Sequence, residues 1–206
     1  MSENCWRWDI INRLIDEMGY ESYLEIGVRR GACLNRIEAK TKVGVDPRSP
    51  VEGVKKMSSD EFFEENEDTF DVIFVDGDHR WPQAVRDVME SLEILNPGGV
   101  ILMHDCMALD EKHATGEHTT GLWNGTVWFG FSMLRITRPD LEMWTIAEDH
   151  GVGIVRPGTQ EPYCMHNEME LTHGYYRQFM NEILNLVEFE DFFEKTVPEW
   201  KATLDV

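Results

Sequence analysis

Basic residues are scarce in this chain: 19 lysines and arginines stand against 39 aspartates and glutamates, a formal net charge of −20. Such a surface repels phosphate backbones, and no stretch joins a basic stripe to interleaved aromatics, so nucleic acid is disfavoured as a partner. Cysteine is also sparse. Cys5, Cys33, Cys106 and Cys164 lack CxxC spacing, and a chain of 206 residues builds a core without disulfide staples. Free thiols in a reducing, cytoplasmic setting are the expectation. No apolar run approaches the roughly 18 residues of a membrane span. The opening MSENCWRWDI has no basic flank followed by an apolar stretch, so no signal peptide is expected either.

What is present is an alternation of short apolar strands and amphipathic helices. Ile10, Ile11, Leu14, Ile15 and Met18 recur at helical spacing before Gly19. YLEIG (23–27) reads as a strand, GACLNRIEAK from Gly31 as a helix, and VGVD (43–46) as a second strand. A short third strand is expected near Val54–Met57, then a helix capped by Ser58 or Ser59 with an acidic first turn. DVIFV is a fourth strand, followed by a helix with Pro82 in its first turn, and VILMHD is a fifth. This order implies an α/β fold: a Rossmann-like doubly wound, mostly parallel sheet with helices on both faces.

Beyond Asp105 the pattern changes. Residues 106–124 are polar and long for a loop, which predicts a lid or insertion. GTVWFGFSMLRI predicts a helix, EMWTIAED with GVGIVRPG a hairpin, and the tail from about Thr172 to Phe193 further helix. No repeat or linker divides the chain, so residues 1–206 are expected to form one domain.

In open parallel sheets, ligands sit beyond the carboxyl ends of the strands. Four such ends here carry chemistry-bearing residues. Glu25, Gly27 and Gly31 form an E-x-G-x-x-x-G turn, which is either a ligand cradle or an ordinary strand-to-helix connection. Asp46 ends the next strand, where a carboxylate accepts both hydroxyls of a ribose or simply faces water. Ser59 and Asp60 either cap the following helix or meet a base. Asp76, Asp78 and His79 follow the fourth strand, and His104 and Asp105 the fifth. Asp76 and Asp105 are as compatible with turn capping as with chemistry. His79 is either a general base or a partner of a backbone carbonyl, and Asp78 is expected to face solvent.

The series YLEIGVRRG, VGVDP, SSDEFF, FDVIFVDGDH and LNPGGVILMHDC resembles the class I S-adenosylmethionine-dependent methyltransferases. More narrowly, it resembles the small bacterial group called methyltransferase family 24. The likeness covers Tyr23 to Asp105 well, and WNGTVW (123–128) and GVGIV (151–155) more faintly. It implies a sheet of about seven strands whose last strand is antiparallel, and S-adenosylmethionine as cofactor. By this resemblance Gly27 and Gly31 border the methionine part and Glu25 orients that turn or its amino group. Asp46 holds the ribose, and Ser59 and Asp60 approach the adenine. In related macrolide-sugar O-methyltransferases, positions matching Asp76 and Asp105 hold a divalent metal, and the position of His79 is placed as base. His104 departs from that pattern, because it stands where those enzymes carry an acidic residue. Asp76, His104 and Asp105 are thus the metal candidates, with Mg²⁺ less favoured, and Mn²⁺, Zn²⁺ or no metal more favoured, by a softer imidazole ligand. Asp76, His79 and Asp105 are the catalytic candidates, and Asp76 is also a candidate cofactor contact.

The expected activity is O-methylation of a small-molecule or sugar hydroxyl, by a soluble protein with no membrane partner. A homo-oligomer is compatible with the sequence. Two other readings stay open: a metal-dependent enzyme of different chemistry on the same fold, and a non-catalytic scaffold that retains a nucleoside pocket. Trp123, Asn124 and Trp128 are candidates for an acceptor pocket, although Trp128 also fits a core position beside Phe131 and Leu134.

Overall fold

The architecture comes from a computed structural model, which describes residues 5–118, 121–166 and 170–204. Helix α1 (Arg7–Met18) buries Ile10, Ile11, Leu14 and Ile15 along one stripe. Its start is fixed by Asp9, whose carboxylate accepts from the Trp6 backbone N–H at 2.9 Å. Strand β1 (Ser22–Ile26) follows, then β2 (Thr41–Val45), helix α2 (Ser59–Glu65) and strand β3 (Phe70–Val75). Ser58 caps α2, its hydroxyl accepting from Glu61 N–H at 3.2 Å while the Glu61 carboxylate reaches back to Ser58 N–H at 2.8 Å. Helix α3 (Trp81–Glu93) and strand β4 (Leu95–Met103) complete the first half.

The second half holds α4 (Val127–Thr137), β5 (Leu141–Ile146) and β6 (Val152–Pro157). Helices α5 (His173–Gln178) and α6 (Met180–Leu184), a two-residue strand β7 (Leu186–Val187), and helices α7 (Phe189–Asp191) and α8 (Val197–Leu204) follow. The strands form one sheet in the order β2-β1-β3-β4-β6-β5-β7. The first four are mutually parallel, and β6 runs antiparallel to both β4 and β5. This is the expected Rossmann-like sheet, and its antiparallel strand, β6, falls in the expected 143–155 hairpin, although the last strand of the chain, β7, pairs parallel with β5. No described helix is long and apolar enough to cross a membrane.

Alternation along the strands feeds two cores. Leu24, Ile26, Ile73, Val75, Ile101 and Met103 pack on one face with residues of α3 and α4. Tyr23, Val72, Phe74, Val100 and Leu102 pack on the other with residues of α1 and α8. Both faces are covered, which explains why β3 and β4 read as continuous apolar runs.

Three local expectations differ from the structure. The helix expected from Gly31 is a single 3₁₀ turn over Leu34–Arg36. Side chains take the carbonyls that a helical ladder would need: Lys42 Nζ donates to Leu34 O and Ile37 O, and Asn12 Nδ2 to Arg36 O. The strand expected near Val54–Met57 is reduced to one bridge, Val45 to Lys55, because the Ser58 cap begins α2 three residues later. The tail is not one helix. Asn185 adopts a left-handed conformation, φ 45°, and its Nδ2 donates to Met143 O at 3.1 Å, which turns the chain to pair β7 with β5.

Register then positions the site. Ile26 pairs with Val45 and Val75, and Val75 with Met103. The next residue in each strand therefore reaches the same rim: Gly27, Asp46, Asp76 and His104.

Candidate active site

At the first strand end, Gly27 adopts φ 93°, and a Cβ there would overlap the carbonyl of Asp76. Only glycine lets the β1 turn lie against the β3 turn. Gly31 closes the loop by donating its N–H to Val28 O at 2.8 Å. Glu25 lies beneath the loop, 1% exposed, and accepts from the Tyr23 hydroxyl at 2.6 Å. Burial pushes its carboxyl up to about 7, against the lowering effect of the Tyr23 hydrogen bond.

Asp46 ties two loops together. Its Oδ2 accepts from Arg29 N–H and its Oδ1 from Arg48 N–H, both at 2.7 Å. Each oxygen keeps a second acceptor direction, which is what a vicinal diol requires. Ser59 and Asp60 open α2 and face α3. Gln83 Nε2 reaches Ser59 Oγ at 3.3 Å and Asp60 Oδ1 at 2.9 Å, and Arg86 NH1 reaches Asp60 Oδ2 at 3.1 Å. Ser58, not Ser59, is the helix cap.

The β3 and β4 ends meet as one cluster. Asp76 Oδ1 is 3.4 Å from His79 Nε2 and 3.3 Å from His104 Nδ1. Asp105 Oδ2 is 3.2 Å from His79 Nδ1 and 3.3 Å from His104 Nδ1. Both rings thus stand between the same two carboxylates. Asp105 takes φ 61°, uncommon for a residue with a side chain, and its Oδ1 accepts from Asn124 Nδ2 at 2.6 Å. His79 also reaches Trp123 O from Nδ1 at 3.1 Å, and its ring stacks on Trp123 with centroids 5.0 Å apart. The His79 backbone is clamped too: Gly125 has φ 65°, a Cβ there would overlap the His79 carbonyl, and Thr126 N–H donates to that carbonyl at 2.8 Å. Asp78 is outside the cluster, bonded to Arg80. Trp128 is buried in the core, 5% exposed.

Two members of this network carry no clear sequence signal. Arg7, on the first turn of α1, directs NH1 to Asp149 Oδ2 at 2.9 Å and to His104 Nε2 at 2.7 Å. Asp149 lies in the β5–β6 turn and is 3.6 Å from His104 Nε2. That turn is bonded to the chain after β4, with Cys106 N–H donating to Gly151 O and Met107 N–H to His150 O. The nearest hint was the glycine of EDHG between two strands.

Electrostatics favour proton retention by both imidazoles, at Nδ1 in His104 because its Nε2 accepts from the Arg7 guanidinium. Burial pushes His104 down, but Asp76 and Asp105 outweigh it and hold the ring well above its ordinary range. The same competition raises His79, through its hydrogen bond to Asp76 and the charges of Asp105 and Asp76. Burial would raise Asp76, yet the two imidazoles hold it well below the usual carboxylate range.

The donors also fit a metal. Asp76, His79 and Asp105 each offer an atom within 4.8 Å of one another. His104 Nδ1 is buried without a hydrogen-bond partner and lies 3.3 Å from a carboxylate oxygen of each aspartate. Two imidazoles with two carboxylates suit Mn²⁺ or Zn²⁺ better than the oxygen-seeking Mg²⁺.

Residues 48–106 match the model of methyltransferase family 24, described as a methyltransferase domain. The fold is that of the class I methyltransferases. The SAH-bound Podospora anserina methyltransferase PaMTH1 is 19% identical, with 74% of this chain and 78% of that one covered at TM-score 0.56. The O-methyltransferase TomG of Streptomyces achromogenes, crystallised with SAM, is 13% identical, with coverages of 73% and 79% and TM-score 0.52. DesVI of Streptomyces venezuelae is 12% identical, covering 73% of this chain and 89% of that one at TM-score 0.51. No curated protein sequence matches the chain.

Proposed function

We propose that the chain transfers a methyl group from S-adenosylmethionine to a hydroxyl oxygen of a small molecule. The observation that carries this reading is the shared register of four strand ends, which sets Gly27, Asp46, Asp76 and the His104–Asp105 pair on one rim. The bound cofactor supplies an electrophilic methyl on a sulfonium. The protein's part is to hold an acceptor oxygen in line with it and to take the acceptor's proton, and near-attack positioning supplies much of the rate.

In this reading Gly27 and Gly31 border the methionine part, with Glu25 supporting the turn from below. Asp46 offers its remaining lone pairs to the ribose, and Ser59 and Asp60 lie toward the adenine. His79 is the base. Both of its ring nitrogens face carboxylates, so it serves only after losing its own proton, and its raised affinity then makes it a stronger acceptor. Asp76 and Asp105 orient the ring. When a metal is bound, Asp76, Asp105 and His104 hold it, where it would acidify an acceptor hydroxyl.

Calorimetry with S-adenosylhomocysteine tests the reading. Binding is expected, and Asp46→Ala should weaken it at least tenfold; no binding at millimolar ligand sinks the proposal. With an acceptor in hand, His79→Ala should abolish turnover while cofactor binding survives, and unchanged turnover removes His79 from its role.

A further inference from the structure

We infer that Gln83 reads the nucleobase of the cofactor, accepting at Oε1 from the exocyclic amino group of adenine, and that buried Asp87 is the positioning residue that turns the Gln83 amide for this task. The inference rests on the methyl-transfer reading above and adds to it two residues of α3.

Topology puts the first turn of α3 at the correct end of the sheet. Helices that cross between parallel strands run back along them, so α2 and α3 both begin at the carboxyl ends, where ligands sit. Asp46 is tied to the start of α2: its N–H donates to Lys55 O at 3.1 Å, and Ser59 opens the helix shortly after. Gln83 joins the two first turns. Its Nε2 lies 2.9 Å from Asp60 Oδ1, 3.0 Å from Asp87 Oδ1 and 3.3 Å from Ser59 Oγ.

The Gln83 amide can face one way only. Its two N–H groups serve two carboxylates, and reversing it would set its carbonyl oxygen against both of them. Oε1 is thereby aimed away from Asp60 and Asp87, and it accepts no hydrogen bond among the described residues. Asp60 is the competing acceptor. Its two oxygens already serve Gln83 Nε2 and Arg86 NH1, and its side chain is 46% exposed, so water competes for what remains. Gln83 Oε1 has both acceptor directions open.

Asp87 is a carboxylate on the buried stripe of α3, beside Ala84, Val88 and Ser91, and is 1% exposed. Burial lifts its carboxyl to about 6, against the hydrogen bonds of Ser59 and Gln83. Its Oδ2 has no hydrogen-bond partner and lies 3.7 Å from where a Cβ on Gly77 would stand, against the turn that leaves Asp76. Such a group costs stability. What it contributes is the orientation of the Gln83 amide, one turn earlier on the same helix face.

Base selectivity follows from that orientation. Adenine carries an amino donor where hypoxanthine carries a carbonyl. Gln83 Oε1 pairs with the first and meets the second acceptor to acceptor. A site built around a hydrogen bond rejects the analogue that lacks it.

The test is calorimetric titration of the full chain with S-adenosylhomocysteine and with S-inosylhomocysteine. The parent protein should bind the adenine compound at least tenfold more tightly. Gln83→Met keeps the length of the side chain without the acceptor and should reduce that preference to less than threefold. Asp87→Leu should do the same, whereas Asp87→Asn, whose side-chain oxygen still accepts from Gln83 Nε2, should retain the preference. Where Asp87→Leu fails to fold, Gln83→Met decides, because it leaves Asp87 in place. Equal binding of the two compounds by the parent, or a preference that survives in Gln83→Met, overturns the inference and leaves the methyl-transfer reading standing. A preference that survives in folded Asp87→Leu removes Asp87 from its role. Failure of the parent to bind either compound at millimolar concentration overturns the methyl-transfer reading, and this inference with it.

Discussion

Arg7 and Asp149, 142 residues apart, are joined twice at one atom: the Arg7 guanidinium and its own backbone N–H both donate to Asp149 Oδ2, at 2.9 and 3.1 Å. The contact fastens α1 across the site to the β5–β6 turn, and the same guanidinium reaches His104. Asp149 is only 2% exposed at its side chain, so its charge depends on these partners. Burial raises its carboxyl, and His104 and Arg7 together bring it below its ordinary value.

Removing the Arg7 guanidinium leaves a buried carboxylate with His104 and the residue-7 backbone N–H as its partners. Breaking one side of a buried pair costs about 3–5 kcal/mol, and the remaining imidazole places Arg7→Ala near the lower end, at about 3 kcal/mol. Arg7→Lys keeps the charge but not the planar reach to two partners, so it should recover only part of the loss. Urea unfolding measures both. In the Arg7→Ala/Asp149→Asn double variant most of the penalty should vanish, and a purely additive result would show that the pair does not couple.

His104 Nδ1, close to both aspartates, makes divalent-ion binding separable from catalysis. Mn²⁺ or Zn²⁺ should stabilise the protein against unfolding, by about 2.7 kcal/mol at a hundred times the dissociation constant. His104→Ala should reduce that stabilisation more than tenfold in affinity, and Mg²⁺ should do less than Mn²⁺ in the parent chain. Equal stabilisation by Mg²⁺, or an undiminished effect in His104→Ala, would count against imidazole ligation.

Legibility in the sequence followed the range of the interactions. β1, β3 and β4 were readable because both faces are buried, which leaves continuous apolar runs, and Gly27, Asp46, Asp76 and His104 were readable because they are the next residues on the rim. The turn at Leu34–Arg36 was not. Cys33, Leu34 and Ile37 are buried as a helical stripe would be, but the carbonyls are claimed by Lys42 and by Asn12 from α1, a tertiary choice that no local pattern records. Arg7 was invisible for the same reason: its partners lie on the fifth-to-sixth strand turn and at the end of the fourth strand. His79 was legible as a residue but not as a state, because the two carboxylates that grip its ring come from different strands.

Glu25 gives the sharpest pH dependence. Its carboxyl is raised from an ordinary 4.5 to about 7, chiefly by burial. A raised carboxyl binds its proton more tightly in the folded chain than in the unfolded one. The stabilisation is therefore complete below pH 4.5 and is lost as pH rises toward and past 7, a difference of about 3 kcal/mol at ~1.36 kcal/mol per unit. Glu25→Gln imitates the protonated form and keeps an oxygen for the Tyr23 hydroxyl, so it should not lose this increment. Asp76, whose charge helps to raise Glu25, is itself held well below the usual carboxylate range and stays ionised in both proteins across this window. Urea unfolding of the two at pH 5 and pH 8 should show similar stability at the lower pH and the glutamine variant ahead at the higher. A stability difference that is the same at both values would mean that Glu25 does not titrate in this window, and that the buried loop support is ionised throughout.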